Sequence, residues 1–275
     1  MLKTINFDEH FADFTSAWMQ EHRKEYRNMD AMEADLPRVY MRFLNTPATW
    51  LDGITPGAYF TQFEDPKDLV DWLCAYCENG VPVPDLLMEQ IEQVGKPCEK
   101  RLVALLKDDR AGNEARMTAI GLLRSMESTQ PKMLYISWQL NRADDDELAD
   151  NAIDSLAEMG ASVIQPMVEA LGKANRAGQA ALLDVLVRHP GNERVYQAAI
   201  KLFREHAEGR ALYAGYLGKL GDTRALPELI RAAEDPQTNY VTWIEIRAAI
   251  ERLGGECAER DFSDDPDYAY LSDIE

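Results

Sequence analysis

The chain has 275 residues, 48 of them acidic and 29 basic, for a formal net charge of −19 with 46% hydrophobic content. A field of that sign repels a phosphate backbone, whose capture depends on Lys and Arg, so nucleic-acid binding is not expected. No stretch approaches twenty uninterrupted apolar residues, and the opening MLKTINFDEHFADF puts acids where an export signal needs cations, so the expectation is a cytoplasmic protein without a membrane span.

Residues 1–80 carry a net charge of −7 and do not repeat. Phe7, Phe11, Phe14 and Trp18 form one stripe of a helix predicted to run to about Arg27. A second helix is predicted after Pro37, with Val39, Tyr40, Phe43 and Leu44 inward. The segment NTPATWLDGITPGAYFTQFEDP follows, with Trp50, Tyr59, Phe60 and Phe63 among prolines and glycines. Long connections of this kind often carry function, so Trp50, Tyr59 and Phe60 are candidate binding residues. The competing expectation is that 1–80 is a helical cap covering the apolar end of an array. Asp65 and Pro66 have the character of N-cap and first helical residue for LVDWLCAYC.

From residue 81 to 255 the chain repeats. Apolar helical segments end at Gly95, Glu127, Gly160, His189, Gly221 and Gly254, at steps of 32, 33, 29, 32 and 33 residues. Each is followed about ten residues on by a second apolar run, the pattern of a tandem helix-turn-helix unit. Between Asp150 and Leu171, the stripe of Ala152, Ile153, Leu156 and Met159 is followed, past Gly160, by Val163, Met167, Val168 and Leu171. Pro166 and Pro227 each stand six residues after their glycine, and the cost of proline deep in a helix predicts that a helix begins just before each, or bends there.

The segment LGDTRALPELIRAAEDP (220–236), followed by IRAAIERLGG (246–255), resembles the HEAT repeat in its short, phycobilin-lyase-type variety, through Gly221, Asp222, Asp235, Pro236, Arg247, Ala248 and Ala249. The resemblance extends over about residues 84–255. It implies an all-α fold: a right-handed α-solenoid of HEAT-like helical hairpins, with 1–80 as helical cap and 256–275 as an acidic tail. It further implies that second helices near 98–107, 130–140, 161–171, 192–205 and 223–233 line a concave face. Exposed positions there include Lys100, Lys107, Lys132, Arg194, Lys201, Arg204 and Arg231; of these Lys100, Lys132, Arg194, Lys201, Arg204 and Arg231 are the candidate binding cations.

The last twenty residues carry −7 with little aliphatic content, which predicts a solvated tail, one that folds back across the cations, or one that docks into another protein; Tyr268, Tyr270, Leu271 and Ile274 give it residues to anchor with. Catalytic and metal signatures are sparse. Cys74 and Cys77 have ligand spacing, but no second pair or histidine pair accompanies them, so reduced core thiols are expected here and at Cys98 and Cys257. His10, His22, His189 and His206 adjoin no nucleophile in sequence and lack the His-Glu repeat of HEAT-like di-iron hydroxylases. Asp144, Asp145, Asp146 and Glu147 lack the alternation of a calcium loop and suit a helix N-terminus.

The function this pattern favours is a non-enzymatic scaffold or adaptor that grips a protein or peptide, with no catalytic residue, metal or cofactor assigned. The alternatives are an enzyme or cofactor-handling protein, implied by the phycobilin-lyase resemblance, and an acidic immunity or inhibitor protein. Partner identity and oligomeric state are left open by the sequence.

Overall fold

A computed structural model describes residues 3–268. Every regular element among them is helical. Contacts divide the chain into two compact units, Met1–Ser128 and Thr129–Glu275, a boundary that falls inside the stretch expected to repeat.

The first unit holds α1 (Phe7–His22), α2 (Met29–Glu33), α3 (Leu36–Leu44), α4 (Pro56–Tyr59), α5 (Pro66–Glu78), α6 (Asp85–Val94), α7 (Lys96–Leu106) and α8 (Asn113–Ser125). Helix α1 starts where Asn6 accepts a hydrogen bond from the Glu9 amide, and it ends five residues short of the predicted Arg27. Its aromatic stripe is the reason it packs: Phe7 and Trp18 are buried, and Phe11 and Phe14 lie against Phe43 of α3. Asp65 caps α5 through the Lys67 amide, with Pro66 in the first turn, as the sequence predicts. Leu69, Leu73 and Tyr76 of α5 are fully buried. The Tyr76 hydroxyl donates to the Ile5 carbonyl and accepts from its amide, both at 3.1 Å, fixing the start of the chain to α5.

The second unit holds α9 (Lys132–Gln139), α10 (Glu147–Glu158), α11 (Ile164–Leu171), α12 (Arg176–Leu186), α13 (Glu193–Glu205), α14 (Arg210–Leu220), α15 (Leu226–Glu234) and α16 (Tyr240–Arg252). Most helices adjacent in sequence pack together, and alternate ones pack in two rows: α10, α12, α14 and α16 in one, α9, α11 and α13 in the other. This arrangement is that of a helical repeat array.

The six sequence markers fall at or just beyond the ends of α6, α8, α10, α12, α14 and α16. At Gly95, Gly160, Gly221 and Gly254 the backbone turns through positive φ of 73°, 62°, 70° and 78°, which glycine adopts without a Cβ penalty. Glu127 makes the same reversal at 52° without glycine, and at the faintest marker, His189, it is displaced to Gly191. Pro166 and Pro227 lie in the first turns of α11 and α15, each after a 3-10 turn (Gly160–Val163 and Thr223–Ala225), so each helix begins just before its proline.

Two close approaches set the packing of the second unit. An added Cβ at Gly178 would collide with the Gln139 carbonyl oxygen, and one at Gly218 would sit 3.0 Å from the Ala249 Cα. Near Gly178 a buried polar knot joins α9, α10 and α12. Gln139 donates to the Ala149 carbonyl at 2.9 Å, Arg142 donates to Gln139 at 3.0 Å and pairs with Asp150, and Asn175 donates to the Arg142 carbonyl at 2.8 Å. The acidic run serves helix initiation, with Asp146 accepting from the Ala149 amide at 3.0 Å.

The described part of the tail, residues 256–268, packs on its own unit. Phe262 is buried against Tyr240 and Trp243, Arg260 donates to the Asp235 and Pro236 carbonyls at 2.7 and 2.8 Å, and Asp265 accepts from the Tyr240 amide. Residues 256–268 thus dock on the α15–α16 turn, drawn by one aromatic side chain and by carbonyls left open where a helix ends. Tyr268 stacks edge-on against Tyr240; Tyr270, Leu271 and Ile274 lie outside the described residues.

Candidate interaction surface

The expected aromatic binding segment is built into the first unit. Phe60 is 1% exposed, which removes it from any binding surface. Trp50 and Tyr59 are half-buried: Trp50 stacks on His10 at 3.9 Å and meets Phe7 edge-on, and Tyr59 contacts Phe7, Phe60, Phe63 and Trp72. The rings fill the space between α1, α3 and α5, where short helices leave irregular gaps.

The candidate cations lie on second helices, Lys100 on α7 in the first unit and the others in the second. Lys201 pairs with Glu205 at 3.9 Å, and Arg204 and Arg231 both reach Glu228, at 3.1 and 3.3 Å. Three of these six cations are therefore already paired, Arg204 and Arg231 sharing one carboxylate. Lys100 and Arg194 are exposed and Lys132 half-exposed; the described residues show no ion pair at these three.

Cys74 and Cys77 line a cleft of about 400 Å³ with Leu105, Asp108 and Asn113. Burial pushes the Cys74 thiol up to about 11 and also raises Cys77, so both are protonated near neutral pH and poor nucleophiles. Among the described residues no group of three His, Cys, Asp or Glu side chains is placed to hold a metal ion. No described helix is long and apolar enough to cross a membrane.

At the α14–α15 turn, Arg224 donates to Asp222 and Glu193 at 2.7 Å each and lies 4.3 Å from the centre of the Tyr196 ring. Its hydrogen bonds hold the Asp222 and Glu193 carboxyls below their ordinary range. The adjoining cleft of about 370 Å³ is thus walled by a closed network of charges that fastens one hairpin to the next.

A different surface emerges on the row of first helices. Helix α12 turns Ala177, Ala180 and Ala181 outward, while Ile153 and Ala157 of α10 and Leu212 of α14 stand to either side. Small side chains between larger ones leave a groove of about 330 Å³, and Leu212 in its wall is 49% exposed. The rim is acidic. Asp184 meets Arg188 at 3.2 Å and Lys219 at 3.7 Å, Asp150 meets Arg142, and Asp144 and Asp154 have no ion pair among the described residues. Sequence reasoning missed this groove because alanines in a repeat helix read as core; the available signal was RAGQAALLDVL, whose alanines at 177, 180 and 181 form a second stripe beside that of the buried Leu182, Leu183 and Leu186.

A family model described as PBS lyase HEAT-like repeat matches residues 214–235, which run from the middle of α14 to just past α15. No curated protein and no solved structure matches the chain. The segment 214–235 is thus similar to a PBS lyase HEAT-like repeat, and it contains the Gly221 turn and the Asp222–Arg224 fastening described above.

Proposed function

We propose that this protein is a binding scaffold, a helical-repeat body that holds a protein or peptide segment on its surface. The observation that supports this reading is the α10–α12–α14 groove: an apolar floor open to solvent in a unit whose other large apolar side chains are mostly packed inward. Solvent-facing apolar grooves rimmed by polar groups are characteristic of interaction sites. The volume is small for a ligand cleft and suits a few side chains projected from a partner backbone.

The test is selection of peptides from a displayed random library on the intact protein, followed by solution binding to wild type and to Ala181→Gln, which fills the groove. Recovered peptides should lose at least tenfold in affinity for the variant. Failure to recover any binder, or binders indifferent to the substitution, would overturn the reading.

A further inference from the structure

Resting on the scaffold reading, we infer that the α10–α12–α14 groove takes a cationic amphipathic helix from a partner protein. The floor runs along α12 at Ala177, Ala180, Ala181 and Val185, an i, i+3, i+4, i+8 series, with Asp184 on the rim. At 1.5 Å per residue it spans about 12 Å, or two turns. A straight trough of that length, with ridges on both sides, accepts the apolar stripe of another helix, ridge into groove.

Charge selects the occupant. Four carboxylates, Asp144, Asp150, Asp154 and Asp184, line the groove; Arg142 pairs with Asp150, Arg188 and Lys219 pair with Asp184, and Asp144 and Asp154 have no ion pair among the described residues. A second copy of this chain would bring a net charge of −19, and the chain's own last twenty residues bring −7, so both are repelled. An anionic membrane or a nucleic acid is repelled in the same way. A helix with apolar residues on one stripe and Lys or Arg flanking it satisfies floor and rim together.

Three labelled eighteen-residue peptides, each titrated against the full chain up to about 1 mM, test the inference. The first is an amphipathic helix former with Leu and Ala on one stripe flanked by Lys, the second its twin with Glu for Lys, and the third a scramble of the first with the same charge and no stripe. The first should bind at least tenfold tighter than the other two, gain helical circular dichroism on binding, and weaken with added salt. Ala181→Gln and, separately, Leu212→Ser should each reduce its affinity about tenfold, and Asp144→Asn with Asp154→Asn about three- to tenfold. Tight binding of the scramble would reduce the effect to bulk charge and overturn the inference. Equal or tighter binding of the Glu twin, still sensitive to Ala181→Gln, would overturn the cationic partner while leaving the scaffold reading intact. Binding of none of the three would overturn the inference, and the library selection then judges the scaffold reading independently.

Discussion

The region 3–78 and the hairpins α13–α16 solve the same packing problem with different materials. In the first, helices of unequal length pack together, and Phe7, Trp50, Tyr59, Phe60, Phe63 and Trp72 fill what is left between them. In the second, Gly218 brings the backbones of α14 and α16 together, and the Arg224 network closes the α14–α15 turn onto α13. Repetition makes the backbone geometry predictable enough for small residues to define the contact, whereas irregular geometry needs large, deformable contact areas.

The most severe way to break this contrast is Phe60→Ala, which should cost about 3–5 kcal/mol in urea unfolding because the void lies among rings that cannot collapse together. A loss under about 1 kcal/mol would mean that the aromatic filling is dispensable. Next is Gly178→Ala, where the new methyl overlaps the Gln139 carbonyl and should cost about 2–3 kcal/mol. Gly215→Ala is its control: nothing lies within 4 Å, and the substitution should be neutral or stabilise α14 by up to about 1 kcal/mol. If both alanines behave alike, close approach is not what specifies the second unit.

Truncation after Glu259 sharpens the comparison at the C-terminal end. Loss of the Phe262 and Arg260 contacts should destabilise the second unit by about 1–2 kcal/mol and shift the emission of Trp243, which Phe262 covers. An unchanged melting curve would restore the expectation of a solvated tail.

The smallest effect is the pH dependence at Arg224. Glu193 and Asp222 are lowered from ordinary values of 4.5 and 3.8, so their contribution is fully present above about pH 4.5 and lost as pH falls through the lowered folded values. The stability difference between wild type and Arg224→Gln should therefore be constant from about pH 5 to 8 and shrink below about pH 4. A difference that grows on acidification would contradict the assignment.

Much of the architecture was legible because the repeat has a mechanical cause. A residue turning through positive φ must end each first helix, and glycine marks that need in the sequence at 95, 160, 221 and 254. Where glycine is replaced by Glu127 or displaced to Gly191, the sequence marker is correspondingly faint. The role of Phe60 and Phe262 was not legible, since an aromatic among turn residues has the same local sequence whether it is displayed or tucked into a neighbour far along the chain. The groove was hidden for a related reason: an alanine on a helix that packs on both sides does not declare which side is open, and only the positions of Ile153 and Leu212 beside it decide.

The left-handed residue that closes each first helix also bears on ancestry. Because most of these units end on a positive-φ residue, an in-frame duplication of about thirty-two codons would join an old terminus to a new start with a turn already in place. The chain could lengthen one hairpin at a time without rebuilding a junction, and copies released from turn-making would be free to diverge on their outward faces. At Glu127 and past His189 the turn is made without a glycine at the marker, while the hairpin at 214–235 makes it at Gly221.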